Sequence, residues 1–215
     1  IDNIKIGTFN ITRDCPRGLL IQDSGGSTFS NIAIGNVIFG NVTLGLDGYS
    51  FGIISNLNGD LNGCVIGSIT DSTETVYKGT SCGVIGHLQK QGIYGKILNL
   101  KLNGCTLQGD ISQLKDASNQ GAFGIIGWNE QGTITADVNG GYISNVSFSG
   151  LKSSEVLKDS VGIIGINYGG AFSGYSLNNI RFSGIGQNGG SIIGTDDGWS
   201  VDHGASDITV SNYVT

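Results

Sequence analysis

Four short runs place aromatic rings beside amides and carboxylates: His87, Trp128-Asn129-Glu130, Asn167-Tyr168, and Asp196-Asp197 with Trp199. Each follows a near-copy of one segment: Gly83-Val-Ile-Gly86, Gly124-Ile-Ile-Gly127, Gly162-Ile-Ile-Gly165 and Ser191-Ile-Ile-Gly194. Aligned on that segment, Asn129, Asn167 and Asp196 share one column, and Glu130, Tyr168 and Asp197 share the next. Sugar recognition needs this mixture, because ring faces stack on the apolar side of a pyranose while amides and carboxylates take its hydroxyls. Trp128, Asn129, Glu130, Asn167, Tyr168, Asp196, Asp197 and Trp199 therefore form a candidate glycan-binding ridge. The competing reading is an ordinary polar corner with its rings folded back.

Catalysis finds less support. If repeats stack at strand spacing, Glu130 and Asp197 lie about 9–10 Å apart. That is too far for a retaining glycosidase pair and at the long edge for an inverting one. No G-x-S-x-G motif is present. The reading leans against an enzyme and assigns no catalytic residue. A Ca²⁺ site near Asp196, Asp197 and Asp202 would lack a recognised loop pattern, although His203 and Asp207 add polar groups nearby. With two histidines and no C-x-x-C, zinc has no ligand set either. No cofactor is expected.

Four cysteines remain. Cys64 and Cys105 fall in one repeat column, and a strand spacing of about 4.8 Å lies inside the Cα range of a disulfide. Buried free thiols filling an apolar column are the alternative. Cys82 shares a column with Phe51 and Phe123 and reads as core, while Cys15 precedes Pro16 in a loop. Glycosylation sequons stand at Asn10, Asn41 and Asn145.

Something must hold these residues in columns. A pattern of Asn, apolar, variable, apolar, small, Gly-like, apolar begins at Asn3, Asn31, Asn58, Asn99, Asn145, Asn179 and, with Asp leading, Asp207. Apolar residues separated by one polar position mark a strand with one buried face. The leading asparagines would stack as a structural ladder, amide on amide. The second strand is the Gly-Ile-Ile segment, which follows each first pattern in turn. Short strands at recurring intervals predict an all-β protein, a single parallel β-solenoid of about seven coils spanning 1–215. A propeller fits less well, because its blades need four strands. The longer repeats require excursions near 70–80, 108–121, 135–142 and 152–160, and 112–118 or 153–159 could each hold a helical turn.

Composition agrees. Gly makes up 38 of 215 residues and charged residues only 13%, which fits many short strands joined by tight turns rather than a disordered polyelectrolyte. The net charge of −6 and the lack of a Lys/Arg cluster exclude a phosphate-backbone binder. No stretch approaches a membrane span. A chain starting at Ile1 reads as a processed form or a fragment.

The segments Cys82-Gly-Val-Ile-Gly86, Phe123-Gly-Ile-Ile-Gly127 and Val161-Gly-Ile-Ile-Gly165 resemble the GLUG-type repeats of bacterial surface proteins. The resemblance covers about 50–200 and implies a β-solenoid in a large secreted or cell-surface protein, often an adhesin. It supplies no catalytic residues. The leading expectation is an extracellular structural or adhesive module that self-associates through its end coils or belongs to a larger surface protein, with cell-surface glycans as further partners and no nucleic acid. A carbohydrate-binding or carbohydrate-cleaving β-helix comes second. Ice binding comes third, since only Thr43 and Thr70 share an offset in neighbouring coils.

Overall fold

The structure, a computed structural model, describes residues 1–89, 95–115, 120–137, 140–152, 160–183, 190–196, 204–206 (backbone only) and 209–214. Among these the regular elements are all strands, and every strand pairing is parallel. The chain is a β-solenoid, as the repeat predicts.

Each coil visits the same faces in the same order. The first face stacks Lys5–Ile11, Ala33–Phe39, Val65–Thr70, Lys101–Leu107, Tyr142–Ser149, Ser176–Ser183 and Thr209–Ser211. The second carries the Gly-Ile-Ile segments: Ile21–Asp23, Phe51–Leu57, Ser81–Leu88, Ala122–Glu130, Val161–Tyr168 and Ser191–Asp196. The third is built of three-residue strands, Thr28–Ser30, Asp60–Asn62, Lys96–Leu98, Thr133–Thr135, Ala171–Ser173 and Gly204–Ser206. Only the first of these faces has seven described strands. Seven full coils is therefore an overcount.

The core is a bundle of columns. Ile34, Ile66, Leu102, Ile143 and Leu177 stack on the first face, as do Leu61, Ile97, Ile134 and Phe172 on the third, all buried. No coil could bury these residues alone, so each coil's core is completed by its neighbours. Cys82 pairs with Phe51 and Phe123, as its column suggested.

The Gly-Ile-Ile segment owes its glycines to close approach. A Cβ on Gly83 would sit 2.6 Å from the Gly124 carbonyl oxygen, and one on Gly124 2.5 Å from that of Gly162. Adjacent coils pass too near for any side chain there. Ile53, Ile54, Val84, Ile85, Ile125, Ile126, Ile163 and Ile164 are buried in the one core, and Ile192 and Ile193 pack against it half-buried.

Several expectations are corrected. The asparagine column divides in two. Asn31 is followed on the next coil by Gly63, not Asn58, and then by Asn99. Asn145 stacks on Gly104, and Asn179 and Asn212 follow it. What these positions share is backbone: Asn3, Asn31, Asn99, Asn145, Asn179, Asn212, Gly63 and Gly104 all have positive φ. Asn and Gly are the residues that tolerate this left-handed conformation. Amide stacking does occur on the exterior, where Asn179 Nδ2 donates to Asn145 Oδ1 (2.7 Å) and Asn145 Nδ2 to Asn103 Oδ1 (2.7 Å). Asn58 instead lies at a buried turn, its N–H donating to Ser24 Oγ (2.8 Å) and its Oδ1 accepting from Gly26 N–H (3.0 Å).

The same register separates the cysteines. Cys64 precedes Val65 and so lies beside Leu100, whereas Cys105 pairs with Ile69 and Val146. All four thiols are free. The excursions near 70–80 and 108–121 contain strands, Val76–Gly79 and Asp110–Leu114, which with Thr43–Leu44 make a fourth, three-stranded face. Of the stretch 112–118 read as a helical turn, 112–114 is strand, while 116–119 and 153–159 lie outside the described residues. Thr43 pairs with Val76 and Thr70 with Ile38 and Thr106, so Thr43 and Thr70 do not stack.

Candidate functional site

The candidate residues sit at the end of the second face. One column there runs Leu57, Leu88, Asn129, Asn167, Asp196. The leucines point the column inward, and Asn129 and Asn167 follow them, each 0% exposed. Buried amides need partners, and these have them. Asn129 Nδ2 donates to Asn167 Oδ1 (2.8 Å), while Asn129 Oδ1 accepts from Gly132 N–H (3.0 Å). Asn167 Nδ2 donates to the Gly170 carbonyl (2.9 Å) and to Asp196 Oδ1 (3.1 Å). Each asparagine thus closes the turn that follows its own strand and grips the next coil. The shared column is as read from the sequence, but Asn129 and Asn167 are not part of a surface ridge. The signal was present in the leucines of their column.

The neighbouring column does meet solvent. Asn56, His87 and Trp128 pair in successive coils and are half-buried. The imidazole and indole rings lie 5.7 Å apart at 37°. Glu130, paired with Tyr168, brings Oε2 to 3.3 Å from His87 Nε2. Opposite them, the turn over 46–49 presents Tyr49, held by its N–H donating to the Leu46 carbonyl (3.0 Å). Its carbonyl accepts from Thr80 N–H (2.9 Å), which ties the turn to the next coil. The Arg17 guanidinium caps the Tyr49 ring at 4.4 Å.

Between the two walls runs an open groove of about 430 Å³, with Gly48, Ser50, Thr80 and Gln89 completing its described lining. That volume is within the range of small-molecule sites. Among the described residues, buried Trp128 Nε1 has no acceptor and His87 Nε2 no aligned hydrogen bond. Of the sequence candidates, Trp128 and Glu130 line the groove. Tyr168 and Asp196 belong to the adjoining columns, and Asp197, Trp199, Asp202, His203 and Asp207 lie outside the described residues.

A buried acid escaped the sequence reading. Asp71, 3% exposed, accepts from Tyr77 OH (2.7 Å), Ser72 N–H (2.7 Å) and Gln108 N–H (3.1 Å). Burial pushes its carboxyl up to about 6, although those hydrogen bonds act against the shift. It lies beside the fourth face, where the reading placed excursions from the coil.

Among the described residues no group of three or more His, Cys, Asp or Glu side chains could hold a metal ion. Among the described residues no helix is long and apolar enough to cross a membrane. Compared with protein-family models, curated proteins and solved structures, the chain matches none.

Proposed function

We propose that this chain is a structural, adhesive module of the cell exterior, which works by continuing its strand ladder end to end into another rung of its own kind. The observation that carries the reading is the Gly7 column. Gly35 and Gly67 pair below Gly7, and a Cβ on either would collide with the carbonyl of the glycine one coil earlier. At Gly7 nothing lies within 4 Å. A glycine stands where the isolated fold does not require one, and a further rung would require it.

The first strand supports this. Ile6, Phe9 and Ile11 are only half-buried, while their partners Ile34, Val37 and Phe39 are 3%, 0% and 8% exposed. Among the described residues no strand pairs with the outer edge of Lys5–Ile11, and such an edge above half-open apolar columns is a template for strand addition. Low charge and an Asn-, Ser- and Thr-rich surface suit the cell exterior.

Light scattering with negative-stain electron microscopy tests the proposal on the 215-residue chain. Concentration-dependent rods that shorten when Phe9→Asp is introduced are expected. A wild-type chain that stays monomeric at high concentration, with the amides of Lys5–Ile11 protected from exchange, overturns it.

A further inference from the structure

We propose that the groove between Tyr49 and the Asn56–His87–Trp128 column binds a short stretch of neutral glycan. The wall is a repeat by construction: three strands present an amide, an imidazole and an indole at one register position. Two strand spacings are about 10 Å, the run of a disaccharide. The lining suits hydroxyls rather than charges. Asn56 and Gln89 can each donate and accept, and Ser50 and Thr80 add hydroxyls. Among the described residues of the lining, Glu130 is the one acidic group and none is Lys or Arg, so nothing there draws an anionic sugar. The nearby Arg17 is stacked on Tyr49.

The second observation is the pair of buried nitrogens. A buried indole N–H without an acceptor is rare in a folded protein and marks a place for a ligand or water oxygen. Trp128 supplies that donor together with an aromatic surface, the two features a pyranose engages. His87 Nε2 is the second such atom, and Glu130 Oε2 lies 3.3 Å from it.

This inference does not rest on end-to-end stacking. The test is a printed array of neutral and acidic oligosaccharides probed with the whole chain, followed by titration of the best neutral disaccharide. The readout is the indole N–H resonance of Trp128, assigned by its loss in Trp128→Phe. Saturable binding of neutral glycans that shifts this resonance is expected. Trp128→Phe, which keeps a ring but removes the donor, should weaken binding about tenfold. Asn56→Ala should weaken it as well, whereas Asn179→Ala on the first face should not. No glycan bound, preference for acidic glycans, or binding unchanged in both Trp128→Phe and Asn56→Ala would overturn the proposal.

Discussion

Asn129 Nδ2 donates to Asn167 Oδ1 across 2.8 Å, joining two coils through side chains with no exposed surface. Every other polar atom of the two amides that is hydrogen-bonded serves a turn backbone or the next coil. The pair therefore fixes both the turns and the register of coils where leucine, used at positions 57 and 88, could only fill space.

Asn167→Ala should destabilise the chain by about 2–4 kcal/mol, because the Gly170 carbonyl and one Asn129 N–H lose their partner in a dry interior. Urea unfolding measures this directly. A midpoint equal to wild type would mean that water replaces the amide and that the interior stack is dispensable.

Asp71 makes stability depend on pH with a definite sign. Burial pushes its folded-state carboxyl up from an ordinary 3.8 to about 6, so the folded chain holds the extra proton between those values. Stability from this group is present at low pH and falls as pH rises through that window, by on the order of 2–4 kcal/mol. Unfolding profiles of wild type and Asp71→Asn should diverge across the window. Parallel profiles would show that the acid is hydrated.

Gly7 and Gly35 provide a matched pair. They share a column, yet only Gly35 faces a carbonyl within collision distance. Gly35→Ala should lower the melting temperature severely or prevent folding, while Gly7→Ala should melt as wild type does. Under the proposed function, Gly7→Ala should also abolish rods. Equal melting losses in both variants would remove the argument for an open rung.

Three thiols should resist reagents. Burial pushes the Cys64 thiol up to about 12 and raises those of Cys82 and Cys105 as well. A thiol-specific chromogen should titrate at most Cys15 rapidly in the native state and all four in denaturant. An intact mass two hydrogens short would instead reveal a disulfide.

The sequence displayed the solenoid because its strongest signals are steric. Gly83, Gly124 and Gly162 recur where no side chain fits, and Phe51, Cys82 and Phe123 recur where one must fill space. The asparagine column misled because the letter stood in for a backbone conformation. Gly63 and Gly104 adopt the left-handed geometry as readily as Asn31 and Asn145, so matching on Asn merged two corners into one. Asn129 was misread as surface by its polarity, although strand alternation set it opposite Trp128 and Glu130 and level with Leu88. The groove was invisible in the repeat because its far wall, Tyr49 and Ser50, comes from a turn outside the aligned columns.

The amide series on the two sides of the wall carry opposite arrows. Inside, Asn129 gives to Asn167 and Asn167 to Asp196, toward the later coils. Outside, Asn179 gives to Asn145 and Asn145 to Asn103, toward the earlier ones. Turned end for end, a coil would present donor to donor on one side and acceptor to acceptor on the other. The protein is in this sense a vector: it can tell its head from its tail, and anything laid along it inherits a direction.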